Sequence, residues 1–122
     1  MGRTIILIAA VLLAIAVSVG AFGAHGLKPH LSSELMEVYK TGVEYHFYHA
    51  LGLLLVGVFA LHKPGVYLKW SGILLTTGIV LFSGSLYVMA ISGIKWLGAV
   101  TPLGGVSFIA GWILLFLAAK KI

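Results

Sequence analysis

Four apolar runs, at about residues 4–24, 42–61, 71–92 and 102–119, constrain this chain more than any other feature. A run of about 20 apolar residues is long enough to cross a ~30 Å hydrocarbon core as a helix. Backbone groups in lipid must find their partners within the same segment, so each run reads as one transmembrane helix. Composition agrees. The 122 residues are 61% hydrophobic and only 9% charged, with a mean hydropathy of +1.12, whereas soluble domains carry roughly 25% charged residues. The sequence therefore predicts an all-α polytopic membrane protein: one domain over residues 1–122, a four-transmembrane-helix bundle.

The first run follows Arg3 and ends in small residues, Ala21-Phe-Gly-Ala24. It is longer than the apolar core of a cleaved signal, and a retained span is expected. Ala10, Ala14, Ser18 and Ala21 share a face of this helix that could pack closely against another. Gly23-Ala-His-Gly26 then predicts a helix break, and Pro29 opposes a quick restart. Ser32 or Ser33 can cap a short amphipathic helix, with Leu31, Leu35, Val38 and Tyr39 on one side and Glu34, Glu37 and Lys40 on the other. That helix is expected at the membrane interface, between spans 1 and 2.

His62-Lys-Pro-Gly65 predicts a turn, with Lys69 and Trp70 as interface anchors. In the third run Gly78, Ser85 and Ser92 recur every seven residues beside Thr77 and Gly84, a second small face. Ile94 to Val100 is too short to span and is expected shallow in the interface, anchored by Lys95 and Trp96. Thr101-Pro102 starts the fourth helix, with Thr101 as cap and proline first. Gly104, Ser107, Gly111 and Ala118 form a third small face. The helix-packing residues expected from these faces are Gly78, Gly84, Ser85, Gly104 and Gly111.

Polar chemistry concentrates in Thr41-Gly-Val-Glu-Tyr-His-Phe-Tyr-His-Ala50. With Glu44 at zero on a helix, Thr41, Tyr45, Tyr48, His49 and Gly52 fall within about 140° of it, and His46 lies beyond that arc. Ionisable groups inside a span are costly and serve as functional hypotheses. The plainer alternative places Glu44 at headgroup level and gives His49 a hydrogen bond to a neighbouring helix. With both termini on the inner side, His25, Glu44, Tyr45, His49 and Thr101 fall at one end of the bundle. They are expected to form a connected polar cluster there, able to hold a ligand. The start of the fourth helix adds free N–H groups and a positive dipole end that favour an anion.

His46-x-x-His49 with Glu44 or His25 would make an incomplete metal set, and no metal site is expected. Nor is haem or any other cofactor. The chain contains no Asp, Asn, Gln or Cys. That removes thiolate sites and thiol nucleophiles, and no Ser–His–Asp order, phosphate loop or carboxylate pair is present. An enzyme is not expected. The net charge of +5 is scattered beside apolar runs, a pattern for membrane lipids and not for nucleic acid. Arg3, Lys63, Lys69, Lys120 and Lys121 gather on one side against Lys28, Lys40 and Lys95 on the other, so both termini should be cytoplasmic.

Four motifs occur in order: Gly20-Ala-Phe-Gly-Ala-His-Gly-Leu27, Thr41-Gly-Val-Glu-Tyr-His-Phe-Tyr-His49, Leu81-Phe-Ser-Gly-Ser-Leu-Tyr87 and Val100-Thr-Pro-Leu-Gly-Gly-Val-Ser-Phe108. On these the chain closely resembles the YgdD/YwdK family of small bacterial membrane proteins, over nearly its whole length. The resemblance implies a four-span inner-membrane protein and brings no established activity. Family members often carry Gln where this chain has His46, which makes His46 a poor candidate for an essential ligand. His25, Glu44, Tyr45 and His49 match the motifs better.

Three roles follow. The first is a structural or interaction protein packing with itself, as a homo-oligomer, or with a larger membrane complex. The second is a binder of lipid or a small hydrophobic ligand through the outer polar cluster. The third is a small proton-linked carrier using Glu44 and His49, for which four spans leave little room.

Overall fold

A computed structural model describes residues 1–122. It contains four helices long and apolar enough to cross a membrane: α1 (Gly2–Leu27), α2 (Ser33–His62), α3 (Val66–Ser92) and α4 (Thr101–Lys120), the last preceded by a 3₁₀ turn over Lys95–Ala99. Neighbouring helices run antiparallel, with both termini at one end of the bundle. Gly2 abuts Gly57 and Leu61 at that end, and Gly23 abuts Tyr39 at the other. The central pair is α2 and α3; α1 packs along α2 and α4 along α3. Ala9, Ala50, Leu53, Val56, Leu75 and Phe108 lie in the shared core.

Two expected breaks are absent. The helix does not end at Gly23-Ala-His-Gly26; α1 continues to Leu27, two residues before Pro29. A glycine in a helix costs only about 1 kcal/mol and does not stop it. Proline does, through its clash with the preceding turn. Gly23 is there for space, since a Cβ at this position would overlap the Tyr39 phenol.

The amphipathic segment, likewise, is not a separate interfacial helix. Ser32 caps α2 by accepting from the Leu35 N–H at 3.2 Å, and the helix then runs unbroken for 30 residues. At 1.5 Å per residue that is about 45 Å, so roughly ten residues extend past the hydrocarbon. The change from amphipathic to apolar pattern near Gly42 marks a change of solvent outside the helix. Nothing in the sequence between Ser32 and Pro64 breaks the backbone.

Two π-turns interrupt the ladders, at Val19–Gly23 in α1 and Ile79–Ser83 in α3. Such turns loosen the regular i→i−4 bonding and often mark special sites. Both face α2: the Val19 carbonyl accepts from Tyr39, and the Ser83 hydroxyl donates to the Gly42 carbonyl at 2.7 Å.

The small faces divide. Gly78, Gly104 and Gly111 are buried where a Cβ would strike Phe108, the Phe82 backbone and Leu75. Ser85 is buried. Gly84 is not a packing glycine, because a Cβ there would meet nothing within 4 Å. On α1 the expected face is turned outward: Ala10, Ala14, Ser18 and Ala21 are all exposed, and Gly2, Ile5, Ala9 and Ala16 are buried instead. Thr101 is not a cap. It is the first residue of α4, with Pro102 behind it, and its hydroxyl meets the Ser85 hydroxyl at 2.7 Å.

Candidate functional site

The conspicuous stretch of α2 turns a different side inward from the one its polar stripe marks. Buried Gly42, His46, Ala50, Leu53, Gly57 and Ala60 centre at about 180° from Glu44 on the helix wheel. Glu44 is exposed, and so is His25 in the last turn of α1. Neither enters the hydrogen-bonded groups described below. The five residues expected to form one cluster thus separate: Tyr45 and His49 stay together, Thr101 joins Ser85, and His25 and Glu44 stand outside.

Two connected groups occupy the half of the bundle away from the termini. The first is polar and joins α1, α2 and α3. His46 is 3% exposed, and its Nδ1 lies 2.8 Å from the Tyr87 hydroxyl. The Tyr87 ring packs against that of Tyr39 at 5.5 Å between centroids, and the buried Tyr39 hydroxyl donates to the Val19 carbonyl in the π-turn of α1. The Nε2 atom of His46 is buried and has no hydrogen-bond partner; the Leu12 backbone of α1 faces the ring without reaching hydrogen-bond geometry.

The second group is aromatic and joins α2, α3 and α4. The His49 ring lies flat on Phe108, with centroids 3.5 Å apart and planes 12° apart. Tyr45 lies beside this pair, near-parallel to both rings at 5.8 Å from His49 and 6.5 Å from Phe108, Trp112 tilts against His49 at 5.7 Å, and Phe82 meets Tyr45 at 4.5 Å. The His49 Nδ1 lies 2.8 Å from the Tyr45 carbonyl one turn earlier. A carbonyl can only accept, so this nitrogen carries the proton. His49 acts here as an aromatic plate with its polar edge turned back onto its own helix.

No group of three His, Cys, Asp or Glu side chains is gathered anywhere in the chain. His46 and His49 point to different neighbours, which removes the His-x-x-His pair as a common ligand set. Sequence reasoning missed Tyr39, His46, Ser83 and Tyr87. A signal was present: Tyr39, His46, Ala50 and Gly57 fall within about 40° on a helix wheel, and this side also carries the small residues that allow close approach.

These features define a small four-span helical membrane protein whose buried polar groups tie helix to helix. A family model described as "Protein of unknown function (DUF423)" matches residues 19–105. Among curated relatives, the UPF0382 membrane protein YwdK of Bacillus subtilis is 47% identical over 120 residues, covering 98% of each chain. A UPF0382 membrane protein of Staphylococcus haemolyticus is 44% identical over 119 residues, covering 98% of this chain and 97% of the relative. The UPF0382 inner membrane protein YgdD of Escherichia coli is 40% identical over 120 residues, covering 98% and 92%. The chain belongs to this DUF423/UPF0382 family of membrane proteins. No solved structure matches it.

Proposed function

We propose that the protein is a structural or interaction component of the membrane, packing with itself or with a larger membrane complex. The outward face of α1 carries this reading. Ala10, Ala14, Ser18 and Ala21 centre about 155° around the helix from the buried Ile5, Ala9 and Ala16. Small residues let helix backbones approach in lipid, where dispersion contacts replace the hydrophobic effect as the driving force. The Ser18 hydroxyl is already satisfied by the Ala14 carbonyl at 2.9 Å, so the face needs no polar partner.

The other readings draw less from the geometry. A ligand site in the outer cluster loses His25 and Glu44 to the surface and Thr101 to Ser85. A carrier through Glu44 and His49 would need the two on one path, yet Glu44 is exposed and His49 is packed among aromatic rings.

The chain has no cysteine, so single cysteines report contacts cleanly. Ala14→Cys is expected to give an oxidised dimer, or an adduct to a larger partner, in native membranes. Ile109→Cys on the lipid face of α4 is expected to give none. Equal yields at both positions, or none at either, would remove the reading. We further propose that the end carrying the termini faces the cytoplasm, because it holds five of the eight basic residues. A reporter fused after Ile122 should be active only as a cytoplasmic fusion, and periplasmic activity would reverse the orientation.

A further inference from the structure

At the end of the bundle that carries the termini, a cleft of about 590 Å³ lies between α1 and α3, with α2 behind it. That volume is within the ~300–1,000 Å³ typical of ligand sites. Ile5 and Ile8 of α1 form one wall, Leu53 of α2 the floor, and Gly72, Ile73 and Thr76 of α3 the other wall. The Thr76 hydroxyl donates to the Gly72 carbonyl at 2.8 Å, so its methyl group is left to line the wall. The cleft follows α3 from Lys69 to Thr77, about 12 Å of helix rise along the membrane normal. Lys69 carries the only charged side chain among its lining residues.

The charge around the cleft is one-sided. Arg3, Lys63, Lys69, Lys120 and Lys121 lie at this end, and Glu34, Glu37 and Glu44 all lie at the opposite end beside Lys28, Lys40 and Lys95. The formal charge of +5 therefore belongs to the end with the cleft, and the other end is balanced. The cleft is an apolar slot aligned with lipid chains, with a lysine on its wall and no acid near it.

We infer that this cleft seats an anionic phospholipid, its phosphate at Lys69 and one acyl chain along the Gly72–Thr76 wall over Ile5 and Leu53. Basic pockets between membrane helices bind anionic headgroups in this way. A second copy of the chain in the same orientation would bring another basic, acid-free end against Lys69, so like charges oppose it as the occupant. The cleft lies on a different side of α1 from Ala10, Ala14, Ser18 and Ala21, so the site stands independently of any helix partner there.

The test uses the full chain purified in a neutral detergent. Thermal stability and native mass spectrometry are followed with added dioleoylphosphatidylglycerol, dioleoylphosphatidylcholine or inorganic phosphate. Phosphatidylglycerol should raise the melting midpoint above that with phosphatidylcholine and remain bound to the monomer, and inorganic phosphate should do neither. Lys69→Gln should weaken apparent affinity for phosphatidylglycerol roughly fivefold, the factor one lysine near an anionic surface supplies. Lys63→Gln, outside the cleft, should change it less than about twofold, since charge effects fall off within a Debye length. Ile73→Trp should fill the slot and abolish lipid retention. Equal effects of the two lipids, equal losses from the two lysine variants, a full effect of phosphate alone, or a dimer in place of bound lipid would each overturn the inference. Should Ile73→Trp fail to fold, the contrast between the exposed lysines still decides the matter.

Discussion

The seam between α3 and α4 and the seam between α1 and α2 solve one problem differently. Along α3–α4, side chains reach across to the facing backbone. The Ser71 hydroxyl donates to the Gly111 carbonyl at 2.8 Å, Ser107 to the Leu74 carbonyl at 2.6 Å, and Ser85 meets Thr101. Gly78, Gly104 and Gly111 admit the residues opposite. Along α1–α2 one hydrogen bond crosses, from Tyr39 to Val19 near the far end. The rest is shape: Gly2 against the Gly57 backbone, with Ala9 and Ala16 fully buried. Interhelical hydrogen bonds in membranes average only about 0.6 kcal/mol, because the separated helices also find partners. A backbone contact that cannot relax is worth more, so the glycine positions should dominate in both seams.

A graded series sharpens that comparison. Gly104→Leu drives a side chain into the Phe82 backbone and should lose about 3 kcal/mol or abolish folding in detergent, at the upper end of overpacking costs. Ser107→Ala removes one interhelical bond and should cost roughly 0.6 kcal/mol. Gly84→Leu points into open space and should lie within about 0.5 kcal/mol of wild type, as substitutions away from packed features do. Detergent unfolding of the three variants gives the order directly. A serine loss as large as that of Gly104→Leu would make hydrogen bonding, not steric fit, the stronger element of the seam.

The same contrast explains how much the sequence disclosed. The four spans were legible because twenty apolar residues admit few other arrangements. The packing face of α4 was legible because Gly104, Ser107, Gly111 and Ala118 fall on one side of the helix. On α1 two small sets overlap in sequence, Ala9 with Ala16 and Ala10 with Ala14, Ser18 and Ala21. The choice between them depends on the surface of α2, which the α1 sequence does not contain. In α2 the ionisable stripe drew attention to Glu44. The inward side is set instead by Gly42, Ala50, Gly57 and Ala60, where neighbouring helices come close. Buried His46 sits among those small residues, so its polarity gave no sign of its placement. His46 is hydrogen-bonded to Tyr87 within the bundle. Charge asymmetry between the two ends was visible from the order of residues once the spans were drawn. The α1–α3 cleft was not, because its two walls come from helices that are not neighbours in sequence.

The central claim is that the polar groups of α2 act as fasteners on its inward side, through His46, and not as an exposed cluster through Glu44. Two double-mutant cycles under identical detergent conditions test it, one on His46→Phe with Tyr87→Phe and one on Glu44→Gln with His49→Phe. Residues in contact couple by about 0.5–3 kcal/mol, and independent ones stay below roughly 0.5 kcal/mol. The hydrogen bond between His46 and Tyr87 predicts coupling above that threshold for the first pair, and the exposed position of Glu44 predicts coupling below it for the second. Strong coupling between Glu44 and His49 with none between His46 and Tyr87 would contradict the account.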